Sequence, residues 1–436
     1  MTVSLIYIQD ALRAANCSAY GYERDTTPKM EAVAEDGVAL TGIAPSTWTK
    51  PVAASVLSGQ RPHAHGTVFY DSEFDGERLS IVEGFSNDIV TAAFVSNGFL
   101  DSSFGFDAGF DVFEAFYESE DDWTTGPAVV TDAVIEFIEG LDDDEDAFIL
   151  VWTIGPHLPY DSSDLRWGDP ETGKSRGGFK SRVRNVGRDR MVARYDDQIR
   201  ENDAEFGRLI GTLKRAGRYE SACVVVAGDH GELFGEGFDT RAARGFGHGK
   251  MMPYQLLAEV PLVIKPPSVV DSVPLDDTLA SLVDVAPTVC SAHDSIPPES
   301  VQGDSLFDPE FDRQRCFVQV PGPNRQDGLY QSVRTDDWNF IKVSHTGSLA
   351  TALRKGLKSW AKTGLLLNEY LLPIEGGTER YENHRACEHE TTEQLRDQLL
   401  KTAERDRKMA VGSQDHVERI DEAVAENLEE LGYVEQ

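Results

Sequence analysis

The chain has 436 residues, of which 75 are Asp or Glu and 41 are Lys or Arg, giving a formal net charge of -34. A chain of this length can bury a large α/β core, and its acidity excludes a general nucleic-acid binder because the overall field would repel phosphate backbones. Acidic residues spread along the whole chain are typical of proteins kept soluble in concentrated salt, so we expect a haloarchaeal source.

The cysteines are few, widely spaced and without a CxxC pair, which indicates neither a disulfide framework nor a structural zinc site. They are Cys17, Cys223, Cys290, Cys316 and Cys387. The apolar run that directly follows Met1 leaves no room for a secretory leader, and no later run has the length of a transmembrane segment. We therefore expect a soluble cytoplasmic protein whose substrate can still be membrane-associated.

Short apolar runs rich in β-branched residues alternate with helical patterns along the first part of the chain. The predicted strands are residues 4–8, 89–95, 147–153, 222–227 and 260–264, and the predicted helices are residues 30–36, 51–57, 128–140 and 192–216. This alternation predicts an α/β fold with a mostly parallel central sheet flanked by helices on both faces. Residues 161–190 show no convincing periodicity and are interpreted as an insertion loop.

The pattern changes after residue 308. Residues 316–320, 331–334 and 339–343 are predicted antiparallel strands, with a turn at 335–338, and a charged helix is predicted at 417–431. We therefore expect a catalytic domain at residues 1–308 and a smaller C-terminal α+β subdomain at residues 309–436.

Polar side chains follow two of the predicted strands at the points where these end. Asp10 follows the first strand, and Asp229 and His230 follow the fourth. Open α/β sheets bind ligands at the carboxyl ends of their strands, and mixed carboxylate and imidazole ligands suit Zn²⁺ or Mn²⁺. Helix capping is the alternative interpretation of both aspartates.

Thr49 lies two residues before Pro51, which is well placed as an early residue of a helix. Taken alone, Thr49 is best interpreted as a helix N-cap. The same position also directs a hydroxyl into the positive potential of a helix N-terminus, which suits a phosphate or sulfate ligand.

Taken in order, these segments resemble the sulfatase family of the alkaline-phosphatase superfamily over about residues 3–345. The resemblance rests on Asp10-Ala11-Leu12-Arg13, Thr49-Lys50-Pro51, Pro156-His157-Leu158-Pro159-Tyr160, Gly228-Asp229-His230-Gly231-Glu232 and Gly247-His248-Gly249. It implies an alkaline-phosphatase-like fold in which Asp10, Asp229 and His230 bind one divalent metal ion (Mn, Mg, Ca or Zn). It also implies that Thr49 is both a metal ligand and the nucleophile.

The resemblance further implies that His157 and His248 face the non-bridging or leaving-group oxygens of the substrate. Taken alone, each would be interpreted as an ordinary loop histidine. Lys50 is a candidate catalytic residue because it would add positive charge beside the nucleophile, and a solvated lysine at a helix start is its alternative interpretation.

Two departures from the family pattern narrow the chemistry. Formylglycine sulfatases have Cys or Ser at the nucleophile position, followed by Pro and Arg, whereas this chain has Thr49-Lys50-Pro51-Val52-Ala53. Threonine cannot give the aldehyde, so no formylglycine is expected. Ala11 replaces the second Asp of the usual N-terminal pair, which favours a single-metal site with fewer oxygen ligands than the calcium-type sulfatase site. This arrangement resembles that of the threonine-dependent phosphoglycerol transferases and phosphodiesterases of the same superfamily.

Residues 165–195 reverse the charge of the chain locally, with nine Lys or Arg against three acids. Arg182, Arg184 and Arg188 are candidate substrate-binding residues of a lid that attracts an anionic ester. A solvated loop paired with neighbouring acids is the alternative.

The leading prediction is a metal-dependent hydrolase of a sulfate or phosphate ester, acting through a Thr49 covalent intermediate. The expected partner is a small anionic ester, glycan or lipid headgroup. The alternatives are a phosphoester transferase that uses an alcohol acceptor, and a non-catalytic anion-binding member of the family.

Overall fold

The computed structural model describes residues 2–117, 126–173, 179–237, 244–248, 253–270, 273, 278–321, 329–344, 369–375, 378–379 and 390–409. Within these ranges, eight strands form a central sheet in the order β10-β2-β9-β6-β1-β5-β3-β4. Their bounds are β1 Val3–Gln9, β2 Val38–Ile43, β3 Ile89–Val95, β4 Val112–Ala115, β5 Asp146–Thr153, β6 Cys223–Gly228, β9 Glu259–Lys265 and β10 Leu279–Ser281. Strand β9 is antiparallel to β2 and β6, and the other neighbouring strands are parallel. The predicted mostly parallel sheet is confirmed.

Helices cover both faces of this sheet. Their bounds are α1 Pro28–Glu35, α2 Thr49–Ser58, α3 Pro62–His65, α4 Gly76–Leu79, α5 Pro127–Gly140, α6 Pro170–Gly173, α7 Phe179–Val186, α8 Arg188–Arg215, α9 Gln255–Ala258 and α10 Val285–Ala292. Helices α2 and α10 pack on one face of the sheet, and α1, α5 and α8 pack on the other. The strands are buried on both faces, which explains why their sequences are continuous apolar runs.

The interpretation of residues 161–190 as an insertion loop is wrong. This segment contains α6, α7 and the first turn of α8, which begins at Arg188 rather than at residue 192. Val183 is buried whereas the neighbouring Arg184 is exposed. A short helix with a narrow apolar stripe among charged residues gives little periodic signal.

A smaller antiparallel sheet follows, built from β11 Cys316–Pro321, β12 Leu329–Arg334, β13 Trp338–Ser344, β14 Glu369–Glu375 and β15 Thr378–Glu379. The predicted hairpin at 335–338 is confirmed, since Thr335 N donates to Trp338 O at 2.8 Å. Helix α11, Glu390–Met409, packs through Leu395 and Leu399 onto this sheet. The helix predicted at 417–431 lies outside the described residues, and a domain boundary at 308 stays a prediction.

Two further expectations concern thiols and membranes. The cysteines at 17, 223, 290 and 316 are buried and free, and Cys387 lies outside the described residues. Among the described helices, none combines the length and apolarity needed to cross a bilayer. The cytoplasmic location stays a prediction.

Two remaining strands form a separate hairpin beside the carboxyl edge of the central sheet. Strand β7, Leu233–Gly237, pairs with β8, Arg244–Gly247, and Leu233 lies opposite Gly247. This hairpin follows directly after the segment 229–232 and connects it to residue 248.

Candidate active site

Two neighbouring parallel strands deliver the acidic residues of the site. Strands β1 and β6 pair in a register that sets Gln9 beside Gly228, so the next residues, Asp10 and Asp229, emerge side by side at the carboxyl edge. Both aspartates are fully buried. No helix begins at either position, so the capping alternative is wrong for both.

Thr49 reaches the same place from the start of α2. The helix begins at Thr49 itself, and the extended Trp48 occupies the N-cap position, so the N-cap interpretation of Thr49 is wrong. The Thr49 hydroxyl donates to Asp10 Oδ2 at 3.1 Å, and its oxygen lies 3.5 Å from His230 Nε2. The structure therefore brings Asp10, Thr49, Asp229 and His230 together.

The side chains present fit a divalent metal ion. Ligand atoms of Asp10, Asp229 and His230 all lie within 4.8 Å of one another, and His230 Nε2 is 3.5 Å from both Asp10 Oδ1 and Asp229 Oδ2. These two carboxylate oxygens have no hydrogen-bond partner among the described residues. Burial, and then repulsion from Asp229, raises the pKa of Asp10 well above its usual value. A bound cation would remove this repulsion and use the unpartnered oxygens.

Hydrogen bonds to the backbone orient the side chains of Asp229 and His230. Asp229 Oδ1 accepts from the backbone N–H of Ala11 at 2.8 Å and of His230 at 2.7 Å, which leaves Oδ2 facing the cluster. His230 Nδ1 donates to Gly231 O at 3.0 Å, so the lone pair of the neutral imidazole is on Nε2. Burial keeps the pKa of His230 well below its usual value, which favours this neutral form.

Ala11 helps to orient Asp229 through its backbone. It has a φ of 60°, a left-handed conformation that is uncommon for a residue with a Cβ, and this conformation turns its N–H towards Asp229. The Tyr195 hydroxyl donates to Ala11 O at 2.6 Å and helps to hold the strained turn. The methyl side chain adds no ligand, so the described cluster has two carboxylates.

Both histidines expected to face the substrate lie beside this cluster. The ring centroids of His157 and His248 are 4.9 Å apart, and those of His230 and His248 are 4.3 Å apart. Burial, followed by repulsion from His248, lowers the pKa of His157 to about 3. His157 is therefore neutral near pH 7, and its Nδ1 donates to Leu158 O at 2.6 Å. This leaves Nε2 as the acceptor atom of the ring.

Sequence reasoning missed two residues of the site. Asn97, which follows β3, donates its side-chain amide to Asp10 Oδ2, while its Oδ1 accepts from Phe99 N at 2.8 Å. Its position at a strand end was the signal that could have found it. Glu232 is also buried, with Oε1 at 3.1 Å from His248 Nδ1. Its motif was noted, but the contact with His248 was not predicted.

Lys50 is placed differently from the expectation. Its Nζ donates to Tyr70 O at 2.7 Å and to Ser72 O at 3.1 Å, and it lies 3.1 Å from the centroid of the Phe104 ring. Burial lowers the pKa of this amine well below its usual value. These contacts hold the amine on the loop at 70–72 rather than at Thr49, so they do not support the expected catalytic role.

The structure describes only part of the predicted basic lid. Arg188 pairs with Glu236 at 2.9 Å, as the alternative of neighbouring acids predicted, whereas Arg184 on α7 is exposed. The side chain of Arg182 lies outside the described residues. Helix α7 contacts β8, the strand that leads to His248, so Arg184 lies on an element next to the site.

Comparison with known proteins gives the chain a family. Residues 4–295 match the sulfatase family. The low-salt glycan biosynthesis sulfotransferase Agl7 of Haloferax volcanii is 27% identical over 295 residues, which cover 66% of this chain and 60% of that protein. This relative is haloarchaeal, in agreement with the source expected from the acidic composition. The match thus spans less than two thirds of the relative.

Solved structures share the fold at low sequence identity. The phosphonate monoester hydrolase of Agrobacterium radiobacter has a TM-score of 0.68 at 16% identity, covering 97% of this chain and 98% of that one. BT4656, in complex with its substrate D-glucosamine-2-N,6-O-disulfate, has a TM-score of 0.68 at 15% identity, covering 94% and 99%. The strand-end cluster and these matches agree, and the match over residues 4–295 shows that the chain belongs to the sulfatase family.

Proposed function

We propose that this protein is a metal-dependent hydrolase that cleaves a sulfate or phosphate ester through a covalent intermediate on Thr49. The observation that carries the proposal is the position of the Thr49 hydroxyl, 3.1 Å from Asp10 Oδ2 and 3.5 Å from His230 Nε2 in a fully buried cluster. A threonine at a helix start has no structural need for these two partners. Activation of a hydroxyl beside a metal site accounts for both.

The chain holds the nucleophile in a defined direction. Donation to Asp10 Oδ2 fixes the Thr49 hydroxyl, and Asn97, which follows the carboxyl end of β3, donates to the same carboxylate oxygen. When bound by Asp10, Thr49, Asp229 and His230, a divalent ion would lower the pKa of the hydroxyl and offset the charge of the transferring group. The N-terminus of α2 adds positive potential at the same point.

The reaction then has two steps. Thr49 Oγ forms a bond to sulfur or phosphorus while the bond to the leaving-group oxygen breaks, and His248 serves that oxygen as proton donor. Water then attacks the same sulfur or phosphorus atom and releases Thr49. A threonine ester has no second hydroxyl with which to expel sulfate as a formylglycine hydrate does, so this external attack is obligatory.

The proposed substrate is an anionic ester on a glycan or lipid headgroup. The exposed Arg184, and Arg182 on the same helix, are proposed to attract it to a protein whose overall charge would repel an anion. Arg188 is less suited to this role because Glu236 already neutralises it. The sulfated glucosamine bound by BT4656 supports a sugar ester as the substrate class.

The test is a panel of aryl sulfate, phosphate monoester and phosphodiester substrates, assayed in high salt with Mn²⁺, Mg²⁺, Ca²⁺ or Zn²⁺. We expect metal-dependent turnover by the wild type, a loss of several orders of magnitude in Thr49→Ala, and partial retention in Thr49→Ser. Mass spectrometry of a quenched reaction should find the sulfuryl or phosphoryl group on the peptide that contains Thr49. Equal turnover by Thr49→Ala and the wild type would refute the nucleophile.

Transfer to an alcohol is a second candidate function. It is supported by the Agl7 relative, which is named as a glycan biosynthesis sulfotransferase. In this case a sugar hydroxyl replaces water in the second step. Adding glycerol or a soluble glycan to the assay separates the two functions, because a transferase gives a new ester at the expense of free sulfate or phosphate.

A further inference from the structure

The β7–β8 hairpin brings Glu232 and His248 together. Because Leu233 lies opposite Gly247, the residue before β7 and the residue after β8 form the next cross-strand position. Glu232 Oε1 accepts from His248 Nδ1 at 3.1 Å, and the exposed fractions of the two side chains are 1% and 8%. The base of the hairpin thus joins the metal-ligand segment to a histidine of the substrate side.

The histidines of the site are oriented by different kinds of partner. His157 and His230 each place Nδ1 against the carbonyl of a following residue, Leu158 or Gly231, so the local backbone fixes the ring. His248 instead places Nδ1 against the side chain of Glu232, across the base of the hairpin. Glu232 thus holds the Nδ1 side of the His248 ring, and Nε2 lies on the other side of the ring.

The carboxylates of Glu232 and Glu236 make different contacts on the same hairpin. Glu236 anchors β7, since its carboxylate contacts Arg13 and Arg188 and accepts from Phe234 N. Glu232 Oε2, by contrast, has no hydrogen-bond partner among the described residues. The carboxylate of Glu232 is thus not needed to anchor the hairpin, and its described side-chain hydrogen bond is the one to His248.

We propose that Glu232 is a positioning residue that directs His248 Nε2 at the group transferred to Thr49. The inference rests on the proposed function and adds a residue to which neither the sequence pattern nor the comparisons assign a role. Removing the carboxylate should misalign His248 in the transition state, with little effect on substrate binding.

The test is a double-mutant cycle on the full chain. We expect Glu232→Ala to lower kcat by about 10–100-fold with KM little changed, and Glu232→Gln, whose amide oxygen can still accept from Nδ1, to retain more activity. In a His248→Gln background, Glu232→Ala should cost nothing further. Glu236→Gln is the matched control, because it removes a carboxylate from the same hairpin and should cost the same in either background.

Two results would overturn the proposal. One is an equal loss from Glu232→Ala with and without His248, which would assign Glu232 to the fold. The other is weakened Mn²⁺ binding in Glu232→Ala, measured by calorimetry, which would assign it to the metal site.

A readout without turnover separates this inference from the proposed function. The downfield Nδ1–H proton resonance of His248, assigned by its loss in His248→Gln, should persist in Glu236→Gln and disappear in Glu232→Ala. If it persists in Glu232→Ala, the orienting contact is refuted even if Thr49 proves to be the nucleophile. If Thr49→Ala stays active while the resonance behaves as expected, only the proposed function fails.

Discussion

Replacing Asp229 by Asn should make the metal-free protein more stable while abolishing its response to metal. Asp229 is fully buried beside Asp10, and burial raises its pKa from 3.8 to about 7. The folded state therefore holds this proton more tightly than the unfolded chain does. Without metal, the wild type should lose stability as the pH rises from about 4 to about 7.

The size of the effect follows from the same pKa. A difference of about 3 pH units at about 1.4 kcal/mol each gives about 4 kcal/mol of destabilisation at pH 8. Because Asp10 shares the repulsion, we expect a gain on the order of 2–4 kcal/mol from Asp229→Asn. The amide oxygen of Asn can still accept from the N–H groups of Ala11 and His230, so the local backbone is preserved.

Thermal unfolding in high salt, with chelator and then with added Mn²⁺, measures both effects. The variant should unfold at a higher temperature than the wild type in chelator, and only the wild type should gain stability from Mn²⁺. Asp203→Asn is the matched control, since burial also raises the pKa of Asp203 to about 7 but its oxygens accept from Lys29 N and Met30 N, away from the cluster. It should keep the Mn²⁺ response. Two results would refute this prediction. One is an Asp229→Asn protein that is less stable than the wild type in the presence of chelator, and the other is an Asp229→Asn protein that Mn²⁺ still stabilises.

Three further predictions follow from individual contacts. Asn97→Ala should weaken Mn²⁺ binding by about 10–100-fold in a calorimetric titration, because Asp10 loses a hydrogen-bond donor that orients it. An unchanged affinity would show that Asn97 does not contribute to metal binding. Lys50→Met should lower the free energy of unfolding by about 1–3 kcal/mol in a denaturant titration, because the carbonyls of Tyr70 and Ser72 lose their hydrogen-bond donor. Its kcat should stay close to that of the wild type, and a large fall in kcat would instead support a catalytic role. His293 packs on Phe85, and burial lowers its pKa from 6.5 to about 4. Because the pKa of His293 is lower in the folded state, the free energy of unfolding of the wild type should fall by about 2–3 kcal/mol between pH 6.5 and 4. Denaturant unfolding at the two pH values should show a smaller fall for His293→Phe, and an equal fall for the two proteins would contradict this.

The sequence by itself determined the sheet and the ends of its strands. Continuous apolar runs such as 147–153, bounded by turn residues and separated by helical patterns, predict strands that are buried on both faces. Polar residues directly after such strands lie at one edge of the sheet where the strands are parallel. This is why Asp10, Asp229 and His230 were expected at one edge of the sheet, whereas their expected role in metal binding came from the resemblance to the sulfatase family. Strand direction was less predictable, because β9 has the same apolar pattern whether it runs parallel or antiparallel.

Only the tertiary structure decided where individual side chains point. Thr49 and Lys50 are neighbours in sequence, yet the Thr49 hydroxyl contacts Asp10 whereas the Lys50 side chain contacts the loop at 70–72, because successive residues of a helix face directions about 100° apart. The contacts of Asn97 with Asp10 and of Glu232 with His248 join residues far apart in the chain or across a hairpin. Periodicity reports which residues are buried, whereas the partner of a buried polar group depends on the packing of the whole sheet edge.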